Sequence, residues 1–202
     1  IELVLVMAYG HILPRRFLKA FPFGVYNLHA SLLPKYRGAS PIHTALVNGE
    51  RETGISFMRL VPAMDAGPVC DVEKVAISGK MMAPELITAM SDACVPVTRR
   101  SLAAIAKGSA EFKEQDDSAA TYCRLIRKED ADLDWRESAE ALDQRFRGFQ
   151  PWPGARFRIG DDWIKVGGLG GLDPETLKGE AGEILHVDSA GPIVQCGKGQ
   201  LR

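Results

Sequence analysis

Cysteine, aromatic side chains and net charge are all scarce in this sequence. Of 202 residues four are cysteine and 7% are Phe, Trp or Tyr, while 25 Lys plus Arg stand against 26 Asp plus Glu, a formal net charge of −1. Cys70, Cys94, Cys123 and Cys196 lie far apart, so none pairs at CxxC spacing for zinc or redox work, and a disulfide scaffold is excluded. This usage points to the reducing cytoplasm. Long apolar runs are missing as well. The longest, Leu3 to Tyr9, is far short of the ~20 residues of a spanning helix, so no membrane partner is expected. The four histidines lack ligand spacing, and no metal is expected. No basic, then apolar leader opens the chain. Its first residue is Ile1 rather than Met, so the coding chain is expected to begin upstream.

What is present is ordinary globular composition, 46% hydrophobic and 25% charged, enough to bury a core. Residues 1–60 hold seven Lys or Arg against three Asp or Glu, a modest bias that favours an anionic ligand. Leu3 to Met7 has the continuous apolar pattern of a strand buried in a parallel sheet. A helix from Arg15 to Ala20 and a strand from Val25 to His29 then complete a crossover unit. Ser40-Pro41 starts a helix that Asn48-Gly49 closes, and strands Ile55 to Leu60 and Val69 to Ile77 follow. Pro84 opens a long periodic helix, kinked at Pro96, that ends at Gly108. Ser138 caps a last helix. From Pro151 the texture changes to short aromatic strands separated by glycine turns. The expected organisation is a Rossmann-like α/β half-domain over 1–113, a linker with a helix over 114–149, and an incomplete OB-like β-barrel over 150–202.

Asn27 and His29 are two apart on one strand, so they project from the same face at its carboxyl end, where ligands sit in open α/β sheets. An amide offers fixed donors and an imidazole can donate or accept a proton near neutral pH. The plain alternative is a capping Asn and a satisfied, partly buried His. A rigid basic loop follows, Ser31-Leu32-Leu33-Pro34-Lys35-Tyr36-Arg37-Gly38. Later, Asp65 stands in the small-residue turn Met64-Asp65-Ala66-Gly67, where an Asx turn is the alternative role. Ser31 lacks the GxSxG setting of a hydrolase nucleophile. Gly167-Gly168-Leu169-Gly170-Gly171 lacks the helix and Lys-Ser/Thr of a phosphate loop.

The block Asn27-Leu28-His29-Ala30-Ser31-Leu32-Leu33-Pro34-Lys35-Tyr36-Arg37-Gly38-Ala39-Ser40-Pro41-Ile42, with Asp65-Ala66-Gly67, closely resembles the folate-dependent formyltransferases. Lys128-Glu129-Asp130, Asp134-Trp135 and Pro151-Trp152-Pro153-Gly154-Ala155 resemble the tRNA-modifying branch, the methionyl-tRNA formyltransferases. The resemblance covers most of residues 1–155. It implies transfer of a formyl group from 10-formyltetrahydrofolate to the α-amino group of methionine on initiator tRNA. It further implies catalysis by Asn27, His29 and Asp65, folate contacts from Ser31, Leu32, Leu33 and Pro34, and substrate contacts from Tyr36 and Arg37. Alternatives within the family are an aminosugar-nucleotide formyltransferase or a formyltetrahydrofolate hydrolase. Outside it stands a non-enzymatic nucleic-acid-binding module.

The family's fold begins upstream with a further half-sheet and its barrel continues beyond Leu201-Arg202. These 202 residues are therefore expected to be a fragment that does not turn over alone, with a strand edge near Leu3 to Met7 open to self-association.

Overall fold

The computed structural model describes residues 1–170, 172–173 and 177–202. In chain order the elements are β1 (Val4–Met7), α1 (Arg15–Leu18), β2 (Val25–His29), β3 (Arg37–Gly38), α2 (Pro41–Val47), β4 (Glu52–Arg59), β5 (Val69–Ala76), α3 (Ala83–Ala106), β6 (Tyr122–Cys123), α4 (Ala139–Phe149), β7 (Arg156–Ile159), β8 (Asp162–Lys165), β9 (Leu172–Asp173), β10 (Ile184–Asp188), β11 (Gly191–Gln195) and β12 (Gln200–Leu201). They gather into two compact units. The first comprises 1–45, 50–79 and 85–125, and the second 46–49, 80–84 and 126–202.

The first unit is built on a sheet of order β1-β2-β4-β5. Only β1 and β2 run parallel, as expected for strands joined through α1; β4 is antiparallel to both β2 and β5. The expectation of a parallel, Rossmann-like sheet is thus corrected to a mixed α/β sheet. Between β4 and β5 lie only residues 60–68, too few for the dozen or more that a parallel crossover needs. β4 is one of the two inner strands, with Gly54, Ile55, Ser56, Phe57 and Met58 all buried, while β5 alternates in burial as an edge strand does. β1 is half-buried rather than enclosed, and among the described residues it pairs with β2 alone.

Helix α3 supplies the apolar stripe that covers a sheet. Leu86, Met90, Ala93, Val97 and Ser101 recur at helical spacing and are all buried, and the helix runs on through Pro96. Gly108 ends it, in a left-handed conformation at φ +68°, as the sequence predicts. Between β2 and β4, Tyr26 and Phe57 pack ring to ring, at 5.2 Å between centroids. Close approach explains one glycine: a Cβ on Gly67 would lie 1.8 Å from the carbonyl oxygen of Arg59, so no side chain fits where the turn after β4 folds back.

The second unit packs Leu133, Ala139, Leu142, Phe146, Ala155, Cys196 and Leu201 into its core, with Trp135 and Phe157 against it. Its described strands form a sheet of order β10-β11-β12-β9 and a separate hairpin, β7-β8. Among the described residues these do not close into a barrel, because the β7-β8 hairpin pairs with no strand of the other sheet; outside the hairpin, Arg156 of β7 bridges Asp132. Gly171 of the glycine-rich turn lies outside the described residues.

Ser138 caps α4 as its sequence position predicts: its hydroxyl accepts the Ala141 N–H at 3.1 Å. Replacing that acceptor leaves a first-turn donor unpaired, so Ser138→Ala is expected to cost about 1 kcal/mol, with Ser138→Asn restoring most of it. Trp135, Trp152 and Trp163 all belong to the second unit, so urea unfolding followed by tryptophan fluorescence reads the change where it occurs.

Candidate active site

The carboxyl end of β2 carries the half-buried Asn27 and the buried His29 on one face, roughly 7 Å apart along the strand. Asn27 makes no side-chain hydrogen bond among the described residues, so its amide keeps both donors for an incoming group. His29 is held on both sides. Its Nε2 lies 2.8 Å from the Tyr36 carbonyl, which can only accept, so Nε2 carries a proton and Nδ1 is the nitrogen left to change state. Nδ1 faces Oδ2 of Asp65 at 3.7 Å, beyond hydrogen-bond length and close enough for strong attraction to an imidazolium.

Asp65 reaches this position from a turn whose backbone is unusual for a residue with a side chain, φ +49°. Its Oδ2 accepts the Gly38 N–H at 2.8 Å. Gly38 is itself at φ +116°, and a Cβ there would come 2.1 Å from the Cys123 carbonyl oxygen, so only glycine can bring this N–H to the carboxylate. Tyr36 is also left-handed, at φ +58°, and that conformation points its carbonyl at His29. Two strained residues thus flank His29, a pattern common where geometry serves chemistry.

The loop after β2 is held from within. Ser31 is fully buried; its hydroxyl donates to the Lys35 carbonyl at 2.5 Å, and its own carbonyl accepts from Ser56 at 2.7 Å. Ser56 in turn accepts the Leu33 N–H at 3.1 Å. Leu32, Leu33 and Pro34 are half-buried and form the loop's apolar shoulder. Tyr36 donates its hydroxyl to Glu50 at 2.6 Å, and the Lys35 ammonium meets the same oxygen at 3.1 Å. The Tyr36 hydrogen bond, then the Lys35 charge, hold the Glu50 carboxyl below its ordinary pKa.

Arg37 is buried to 2% and turned inward, against Gln115 and Asp117. The structure therefore brings Asn27, His29 and Asp65 to one edge of the sheet, while the Tyr36 and Arg37 side chains are engaged within the chain. Gln115, Ser56, Thr121 and Glu50 complete the arrangement. None carries a short-range signal, because each meets the loop from 14 to 85 positions away.

Two family models match the chain. The formyl transferase model matches residues 1–95, and the formyl transferase C-terminal domain model matches 125–202. The chain belongs to the formyl transferase family. It is 38% identical over 205 residues to the methionyl-tRNA formyltransferase of Methylobacterium sp. (strain 4-46) and 37% identical over 200 residues to that of Moorella thermoacetica. These matches cover 100% and 99% of this chain, which spans 64% of the length of either relative. Among solved structures, HypX from Aquifex aeolicus in complex with tetrahydrofolic acid superposes with a TM-score of 0.74 at 16% identity, covering 99% of this chain and 34% of that one. A 4-N formyltransferase from Francisella tularensis gives 0.72 at 15% identity, over 82% and 69%. At such identities the likeness is one of fold, and the fold is that of the formyltransferases.

The Glu50 contact makes a pH-dependent contribution whose sign is determined. Because the folded carboxyl titrates below its ordinary value of 4.5, the stabilisation is complete above that pH and fades as pH falls through the lower folded value. Tyr36→Phe should therefore lower stability by about 1–2 kcal/mol at pH 7. The difference should shrink in thermal melts recorded below pH 4.5.

Proposed function

We propose that this chain carries the catalytic centre of an enzyme that moves a formyl group from 10-formyltetrahydrofolate to the amino group of methionyl initiator tRNA. The observation that supports it most is the His29–Asp65 pair beside the unpaired amide of Asn27, at the open edge of the sheet. As the amine attacks the formyl carbon, negative charge grows on the formyl oxygen, and the Asn27 amide supplies a fixed donor for it; the adduct then collapses as the bond from the formyl carbon to the folate nitrogen breaks, and tetrahydrofolate leaves with a proton on that nitrogen. His29 presents Nδ1 to the reacting groups while Tyr36 holds Nε2. Asp65 stabilises the imidazolium and, through its second oxygen, offers an acceptor for the proton the amine loses.

The folate is read as lying against the apolar shoulder of Leu32, Leu33 and Pro34, which suits a flat ring. Ser31 contributes from beneath, since its hydroxyl is already spent on Lys35. Tyr36 and Arg37 serve the substrate by fixing this loop. Residues 150–202, which we read as an OB-like module, would touch the tRNA backbone through Arg158, Lys165, Lys178 and Lys198, with Arg156 in a lesser part. Arg156 is paired with Asp132 and stacked 4.0 Å from the Trp163 ring centroid, so it has less charge to offer. The open edge of β1 is the surface through which the 202-residue chain by itself would associate.

Formylation assays on the full-length gene product should show strong preference for charged initiator tRNA over free aminosugar nucleotides, with little hydrolysis of the folate alone. Preference for the sugar, or uncoupled hydrolysis, would move the protein to another branch of the family. In the same assay Asn27→Ala should lower kcat by roughly 10²–10³ with folate KM little changed, the size typical of one lost oxyanion donor. Salt offers a separate measure of the basic side chains. tRNA affinity should fall by roughly 0.7–0.9 log units per phosphate contact for each tenfold rise in salt. Lys165→Ala should reduce that slope by about one contact.

A further inference from the structure

Gln115 lies in the polar stretch between α3 and β6, outside the segments that carry the family block, yet its side chain hydrogen-bonds the backbone of the Asp65 turn at two points. Its Nε2 donates to the carbonyls of both Asp65 and Gly67, each at 2.7 Å, spanning the turn from end to end. Its Oε1 accepts from Nε of Arg37 at 3.0 Å and from Nη2 at 2.8 Å. Both amide protons and both oxygen lone pairs are thereby used. Turning the amide over would set its NH2 group against a guanidinium and its oxygen against two carbonyls, so this orientation is the one the chemistry allows. Glutamate would lack the donors and lysine the acceptors, while asparagine is one methylene short.

Arg37 sits between the two backbone groups that hold the catalytic pair. The Tyr36 carbonyl before it accepts from His29, and the Gly38 N–H after it donates to Asp65. The contacts close a circuit: His29 to the loop, the loop through Arg37 to Gln115, Gln115 to the Asp65 turn, and the Asp65 carboxylate back to His29 and Gly38. Asp65 holds its left-handed backbone inside that circuit.

We infer that Gln115 is a positioning residue for the formyl-transfer site: by clamping the backbone of the Asp65 turn to the guanidinium of Arg37, it sets the spacing of Asp65 and His29. The inference rests on the formyl-transfer reading above. It gives the polar segment around residue 115 a part in catalysis without contact to substrate.

A double-mutant cycle in the full-length gene product tests it. Gln115→Ala should lower kcat about 10- to 100-fold, the scale of an ångström-sized misplacement, while KM for 10-formyltetrahydrofolate and for charged initiator tRNA stays within about threefold. In an Asp65→Ala background the same substitution should lower kcat no further, because its effect passes through Asp65. Multiplicative losses in the double variant, or an effect on KM alone, would overturn the inference. Should Gln115→Ala not fold, Gln115→Glu keeps the length and the Arg37 contact, removes both donors, and carries the same cycle. The 15N spectrum of the His29 imidazole supplies a readout that needs no turnover, and it should change in either variant while the thermal melt stays cooperative. An unchanged spectrum refutes the positioning role whatever the protein formylates. An inactive wild type with a changed spectrum refutes the formyl-transfer reading instead.

Discussion

The buried guanidinium of Arg37 is the constraint on which this site depends. A charge at 2% exposure must be met by acceptors on every side, and Arg37 finds them in Gln115, Asp117 and the Tyr122 hydroxyl. Burial alone disfavours its charged form, yet the hydrogen bonds to Asp117 and Tyr122 outweigh this and hold its pKa above the ordinary value. Asp117 itself is 82% exposed and screened by water, which leaves the amide of Gln115 as the sheltered partner. Satisfying one cation therefore orders residues 115–122 against the loop after β2. The parallel pairing of β3 with β6 extends the same contact along the backbone.

That ordering lets the site hold backbone conformations that an isolated loop would abandon. Left-handed residues other than glycine cost on the order of 1–3 kcal/mol each, and two of them, Tyr36 and Asp65, flank His29. Each is retained by hydrogen bonds on both its peptide group and its side chain. Gly38 and Gly67 contribute by what they lack, since neither position has room for a Cβ. Such rigidity suits the proposed formyl transfer, because an imidazole and its carboxylate held at a fixed spacing need no reorganisation when charge develops between them.

Much of this arrangement was legible in the chain. The strand Val25–His29, the cap at Ser138, the glycine stop at Gly108 and the family block from Asn27 to Ile42 with Asp65 are local signals, each written within a few residues. The direction of β4 and β5 was less accessible, because apolar runs do not state strand polarity; only the shortness of 60–68 argues for the antiparallel turn. The segment from Glu114 onward, polar and without periodicity, reads as a linker, yet residues 114–125 belong to the first unit. Its ties to the fold are the Gln115 amide, polar contacts from Asp117, Thr121 and Tyr122, and one short strand rather than an apolar stripe, and such contacts leave no pattern in composition.

By itself the sequence determined which groups are available: an amide and an imidazole two apart on a strand, a carboxylate in a small-residue turn, and glycines where the backbone must turn left-handed or pass close. These follow from local rules of strand alternation and backbone sterics, which act over a few residues. Tertiary structure decided how the groups are used. It set which imidazole nitrogen is occupied by the Tyr36 carbonyl, turned Arg37 inward, and brought Gln115 across 50 positions of sequence to the Asp65 turn. The physical reason is that hydrogen bonds and ion pairs are satisfied by proximity in space, and proximity between distant residues is settled only when the whole core has packed.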